Sequence, residues 1–306
     1  MLKIMKYMKL SAISLAMALA VSTALYAEPV PQAESPYSVD VFGEFNHAFT
    51  YDTKTDANAV DGVNGTFLGL DLTTKHLFGK ISADIDISEL GGSDALSTRD
   101  AYIGTEKGPV TISFGRMMNM RGKIREATVG IFEGPNDFNT QNTGRKGYTF
   151  KTLYTRGDMT YIGTVSADGY KDNSKDLDSW ELGTSYTLSD DINIVSGFAK
   201  DERTGFNTLI GGVRYDFTDT LTIGGSYERE MKDAFKLGSG TFNLVADKAF
   251  GKNSLKGGMQ MIEGDANTFL VEGVRNFNAS SAIYANVQHT DTTDAQAYSM
   301  GFRMKF

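Results

Sequence analysis

The sequence predicts an all-β protein, a transmembrane antiparallel β-barrel of sixteen strands, and three observations carry that prediction. Along segments of about ten residues, apolar and polar side chains alternate, which gives each segment one face for each environment. The segments are joined alternately by tight turns and by longer polar loops. All five prolines (Pro29, Pro31, Pro36, Pro109 and Pro135) fall outside the segments. A closed wall requires that, because it uses every backbone donor it has.

Composition removes several alternatives. The 306 residues include 33 glycines, 5 prolines and no cysteine, and the formal net charge is -8. Without cysteine there is no disulfide scaffold, thiolate metal site or thiol nucleophile. A pI near 5.0 argues against a nucleic-acid partner, which binds through a basic surface. A hydrophobic share of 41% is too rich for a disordered chain.

In chain order, Lys3, Lys6 and Lys9 precede a short apolar run, Leu10 to Val21, and then small residues. This order predicts a signal peptide over residues 1–27, cut after Ala27, with Ala24 as the alternative. The apolar run is shorter than the roughly 20 residues a membrane anchor needs. Removing three of the 30 basic residues leaves 27 against 38 acidic ones, a net charge of -11. Residues 28–306 then form one barrel domain.

The first strand shows the pattern. Tyr37, Val39, Val41, Gly43, Phe45 and Phe49 share one parity; Asp40, Glu44, Asn46 and Thr50 share the other, with Phe42 the apolar exception. Farther on, Ile81, Ala83, Ile85 and Ile87 oppose Lys80, Ser82, Asp84 and Asp86. The same reading gives strands at 37–51, 65–75, 78–88, 97–106, 109–117, 147–155, 157–168 and 178–188. Eight more follow at 190–201, 205–217, 219–230, 239–249, 251–263, 266–277, 279–291 and 295–306. Tight connections lie at Glu106 to Pro109, Arg156 to Asp158, Ser189 to Asp191, Thr218-Asp219 and Phe250 to Lys252. Asp52 to Asn64, Gly169 to Leu177 and Glu230 to Lys236 are longer, and Met118 to Lys146 is far longer than any.

A soluble sandwich is the competing all-β architecture, but many strands with a single apolar face suit lipid better. Strands of about 9–11 residues cross a bilayer, and barrels with even strand counts carry short turns on one side and longer loops on the other. Tyr37, Tyr51, Phe217, Phe250, Phe277 and Phe306, near strand ends, fit the aromatic girdles of such barrels.

No enzymatic set emerges. Asp84 and Asp86 share a face, but a solvated lumen wall accounts for them better than an acid–base pair. His47, His76 and His289 lack metal-ligand spacing, and no nucleophile elbow or phosphate loop is present. The expectation is a protein that is not an enzyme and carries no cofactor or metal.

Three stretches narrow the class. The final octet, Ser299 to Phe306, resembles the carboxy-terminal recognition signal of outer-membrane barrels, with Gly301, Met304 and Phe306 at its marked positions. Ser97-Thr98-Arg99-Asp100-Ala101-Tyr102-Ile103-Gly104 and Pro109 to Arg116 resemble the paired strands before the constriction loop of Gram-negative general diffusion porins. Phe67 to Leu72 and Val39 to Glu44 are similar to the second and first strands of that family. The resemblance implies a homotrimer in the outer membrane, in contact with its lipid and lipopolysaccharide and inserted by the barrel-assembly machinery. It also implies a long third loop, residues 118–146, folded into the lumen as a constriction.

In that family acidic loop residues face a basic wall. Carried over here, Glu126, Glu133 and Asp137 stand on the loop, Arg99 on the wall, and Lys151 is of inward parity beside it. Two positions depart: Phe67 replaces a wall arginine and Glu44 a wall lysine. Arg116 shares parity with Val110, Ile112 and Phe114, which places it outward, where a subunit interface would shelter its charge.

The expected function is a water-filled channel for passive diffusion of small hydrophilic solutes and ions. Inward parity collects Glu44, Asp71, Asp84, Asp86, Glu181, Asp247 and Glu272 against Lys80, Arg99, Lys151, Arg214, Arg303 and Lys305, which predicts a weak cation preference. The alternative is a substrate-specific channel, for an oligosaccharide for example. That would need a row of inward aromatics, and Phe42 and Phe67 alone do not make one.

Overall fold

Strands with one apolar and one polar face cannot both be satisfied by a flat sheet in water, and closing the sheet into a tube separates the two environments. The computed structural model describes residues 37–53, 57–61, 66–85, 96–133, 145–167, 178–202, 205–232, 236–291 and 295–306. Its strands are β1 (Tyr37–Asp52), β2 (Ala57–Asp61), β3 (Phe67–Thr74), β4 (Leu77–Ile85), β5 (Leu96–Lys107), β6 (Val110–Met118), β7 (Arg145–Arg156) and β8 (Met159–Ser166). They continue with β9 (Ser179–Ser189), β10 (Ile192–Asp201), β11 (Phe206–Thr218), β12 (Leu221–Lys232) and β13 (Lys236–Phe250). The last are β14 (Asn253–Ile262), β15 (Thr268–Asn276), β16 (Ser281–Thr290) and β17 (Ala295–Lys305). Among the described residues one helix, α1 (Met120–Val129), interrupts them.

Every strand pairs antiparallel with its neighbours, and β1 closes the ring. Its first half, Tyr37 to Glu44, pairs with β3, and its second half, Glu44 to Asp52, pairs with β17. The short β2 also lies on β1, at Ala48 to Asp52, above the stretch occupied by β3. It therefore continues the second stave, and the barrel has sixteen. The chain end completes the seam: Gly43 and Phe306 exchange backbone hydrogen bonds of 2.9 and 3.1 Å.

The turns follow the chemistry read from the sequence. Gly108, Gly157 and Gly251 sit in two-residue connections with φ of +59°, +57° and +62°, the left-handed region that such turns demand and that costs a side chain energy. The sequence reads Asp52 to Asn64 as a polar loop, whereas β2 occupies part of it.

Outward positions carry Val41, Leu70, Ile81, Ile103, Phe114, Leu182, Leu209, Val271 and Met300, all exposed. An apolar surface continuous around a barrel belongs in lipid, not water. Near the tight-turn end, Tyr154 stacks on Tyr161 and Tyr215 meets Phe217 edge-on. Phe217, Phe250, Phe277, Phe306 and Tyr37 are also exposed, as aromatic girdles require.

The inner face is largely polar, with apolar patches at Ala48, Val274, Ala282 and Tyr284, at the aromatics of β1, β3, β4 and β5, and where α1 rests. Asn119 caps the helix, its Oδ1 accepting the Gly122 N–H at 2.9 Å. Met120 and Ile124 pack on Val195, Ala199 and Ile210, with Ile162 beside them. Val129 packs on Val245 and Leu270, with Ile131 and Phe132. These wall residues alternate with the exposed Ile194, Leu209, Leu244 and Phe269, so they face inward. Glycine floors the seat: a Cβ at Gly224 would come within 1.8 Å of the Thr128 carbonyl oxygen, and one at Gly197 within 2.5 Å of the Met120 sulfur. The segment from Met118 to Lys146 is thus not a plain loop. Its first third is a helix against β8–β13. The amino-terminal 36 residues, Asp86 and Asp137 lie outside the described residues.

Candidate functional site: the inner wall and its helix

Two ionic anchors hold α1 and the residues after it to the wall. At the first, Glu228 of β12, 6% exposed, takes both Arg121 and Arg125. These arginines are one helical turn apart and so reach the same carboxylate. The Arg125 Nε–H donates at 3.0 Å. Glu181 of β9 supports the helix start, its Oε2 accepting from the Met120 N–H at 2.6 Å and the Thr164 hydroxyl at 2.9 Å.

The second anchor is Glu133. Its carboxylate pairs with Lys256 of β14 at 2.9 Å and with Arg303 of β17. Its N–H donates to Glu272 of β15 at 2.8 Å, and its carbonyl accepts from the Asn46 amide at 2.8 Å. Glu272 is fully buried and also lies 3.6 Å from Lys256. Tyr284 donates its hydroxyl to Asn46 at 2.6 Å, which orients that amide.

This arrangement revises the charge pattern expected from parity. Glu133 does face basic wall residues. Arg121 and Arg125, however, face an acidic one, the reverse polarity. Glu126 is 54% exposed and pairs with Lys123 on its own helix at 2.8 Å. Glu181 and Glu272, which parity assigns to the lumen charge, are buried beneath the helix and the residues after it, where they bind backbone N–H groups. Glu228 and Lys256 are missing from the sequence-derived set, although both have inward parity.

Across the barrel, β1, β3, β4 and β5 bring together three other expected residues. Glu44 and Phe67 are register partners on β1 and β3. Arg99 lies over the Phe67 ring, 4.2 Å from its centroid, and pairs with Asp84 at 2.7 Å. Lys80 repeats the motif over Phe42 at 4.2 Å, with Asp71 at 3.5 Å. Glu44 itself is 3.7 Å from Lys305. Lys151 faces inward on β7, between Ser113 and Thr164, apart from this cluster. Arg116 is in register with Ala101 on the outer face and donates to the Thr98 carbonyl at 2.8 Å. Phe306 lays its ring over Gly43, and Met304 is exposed on the lipid side. Gly301 leaves room for the Tyr284 hydroxyl.

The comparisons agree with this geometry. A family model described as Gram-negative porin matches residues 13–305. The chain belongs to the Gram-negative porins. A doubly substituted variant of Rh. blastica porin superposes with a TM-score of 0.70 at 13% identity, covering 88% of this chain and all of that one. A loop-deletion mutant of OmpT, an outer membrane protein of Vibrio cholerae, gives 0.69 at 14% identity, covering 89% and 100%. Comparison with the curated proteins gives no match. At such low identity the structural matches speak for the fold, and the family match adds the class: this porin is an outer-membrane barrel of the channel-forming kind.

Proposed function

We propose that this porin is a water-filled channel for passive diffusion of small hydrophilic solutes and ions, exported with loss of residues 1–27 and assembled as a homotrimer. The observation that carries the reading is the double anchoring of α1 and Glu133. It holds residues 119–133 against β8–β15, with Glu133 reaching β17 and Asn46 of β1, and leaves the side formed by the first half of β1 and β3–β5 as the path. The segment 118–146 is then the constriction, with Glu44, Phe67, Arg99 and Lys151 around the opening. Assembly in the outer membrane brings the barrel against its lipid and lipopolysaccharide, by way of the barrel-assembly machinery, for which Gly301, Met304 and Phe306 are the signal. Arg116, outward on β6, belongs at the subunit interface.

Selectivity follows from the charges that remain accessible. With Glu181 and Glu272 buried and Glu228 shared by two arginines, the acids left to the path include Asp40, Glu44, Asp71, Asp84 and Asp247. Asp40 and Asp71 are direct register partners, so like charges stand side by side. Lys80, Arg99, Lys151, Arg214 and Lys305 offset most of this field, and salt screens the rest beyond about 10 Å at 0.1 M. The preference is therefore for cations, weak, and larger at low salt. Reversal potentials across a potassium chloride gradient test it. The native porin should favour potassium, and Glu44→Lys should diminish that preference; anion selectivity in the native protein would overturn the charge reading.

A further inference from the structure

The β1–β5 wall holds more than two inward aromatics, and their register is the point. Antiparallel pairing sets its inward residues in rows. One row holds Phe78 beside Gly104. The next holds Asp40, Asp71, Lys80 and Tyr102. The third holds Phe42, Gly69, Ser82 and Asp100. The fourth holds Glu44, Phe67 and Asp84, with Arg99 at the adjacent bulge. Each row contributes one ring: Phe78, Tyr102, Phe42 and Phe67. Phe78 and Tyr102 are 6.4 Å apart, and Phe42 and Phe67 are 5.9 Å apart. Alternate residues on a strand are about 6.7 Å apart, so four rows extend roughly 20 Å along the wall.

Glycine makes the file possible. A Cβ at Gly69 would lie 2.4 Å from the Phe42 ring, and one at Gly104 would lie 2.3 Å from the Phe78 ring. The rings therefore lie down on the wall instead of standing into the path. All four are half-buried, so each keeps part of its surface open to the lumen. Against two of them stand Arg99–Asp84 and Lys80–Asp71, with Arg99 over Phe67 and Lys80 over Phe42, donor and acceptor together in each pair and side chains 23–42% exposed.

We infer that this file is a binding track for neutral, hydroxylated ring solutes, of which oligosaccharides are the chemical class. The inference rests on the channel reading and names what that channel handles best. A sugar ring presents C–H surface to an aromatic side chain and a rim of hydroxyls to donors and acceptors. Here Phe42 and Phe67 each have an ion pair against the ring that can bond neighbouring hydroxyls while its own charges stay balanced. A charged solute would have to break a pair to gain the same contact, losing an interaction for each one it makes. Apolar surface with a few placed polar groups is the usual composition of a small-molecule site. Two such units, continued by the rings of Phe78 and Tyr102, turn a site into a path.

The test uses the purified native porin in planar bilayers, with glucose oligomers of two to six units and uncharged polyethylene glycols of matched size. The oligomers should interrupt the ion current in a concentration-dependent way, at concentrations at least tenfold lower than the glycols. In Phe42→Ala/Phe67→Ala the half-blocking concentration should rise about tenfold, the scale expected for removing two stacking rings, while ion conductance persists. Phe42→Tyr/Phe67→Tyr, which keeps both rings, should block like the native protein. Equal blockade by sugars and glycols, or no change in the alanine variant, would overturn the track. If the alanine variant does not insert, the native comparison of sugars with glycols decides alone. Conductance before any solute is added reports on the channel reading separately.

Discussion

Replacing Glu228 by glutamine should loosen the helix that narrows the lumen. The Glu228 side chain is 7% exposed and is shared by two guanidiniums whose side chains are 11% and 20% exposed. Taking one partner from such a buried cluster costs about 3–5 kcal/mol, because the remaining charges lose their compensation. In Glu228→Gln the two arginines would face a neutral amide and each other, with only the more exposed Glu230, 4.0 Å from Arg121, left to compensate. At about 1.4 kcal/mol per factor of ten, the equilibrium between seated and released helix shifts by roughly two to three and a half orders of magnitude. The apolar seat of Met120, Ile124 and Val129 remains, so release should be transient. Single-channel records should then show flicker to a larger conductance level that the native porin lacks. Substituting Arg121 and Arg125 by glutamine in the same chain should quieten the record, since no unpaired cation would remain. High salt should not mimic the mutation, because buried pairs are poorly screened. A steady native-like conductance in Glu228→Gln would refute the claim that this anchor positions the helix.

Two further outcomes are expected. Gly224→Ala puts a methyl where the Thr128 carbonyl oxygen lies within 1.8 Å, an overpacking cost of about 1–3 kcal/mol; it should widen or destabilise the constriction, read as raised conductance or faster proteolysis of the helix segment. Unboiled porin should run on a denaturing gel as a heat-modifiable oligomer, and Arg116→Ala should lower the temperature at which it dissociates; a heat-insensitive monomer would remove the trimer.

How much of this was legible follows from what parity can say. The strands and five turns were readable because a period of two, proline placement and glycine turns each report local backbone geometry. The β2 continuation was not, since five residues paired along an already assigned strand leave no distinct pattern. The helix had a signal that a loop reading passes over: Asn119 as cap, then Met120, Ile124 and Thr128 at helical spacing. Its seat had one too, in apolar Val195, Ile210, Val245 and Leu270 at positions where the wall is otherwise polar. Parity placed Glu181 and Glu272 inward correctly, yet it cannot show that another segment covers them. Glu228 and Lys256 obey the same parity, but their partners come from residues about a hundred or more positions away. Only the closed ring brings those together. The aromatic file was half visible for the same reason: Phe78 and Tyr102 align with Phe42 and Phe67 only once four strands are in register.

The central claim is an open, water-filled lumen narrowed by an anchored helix, and single-channel recording in a planar bilayer tests it most directly. Purified native porin should insert with stepwise, long-lived ohmic conductance, its closures coming in threes. A correctly folded, heat-modifiable barrel that inserts and carries no current would contradict the account.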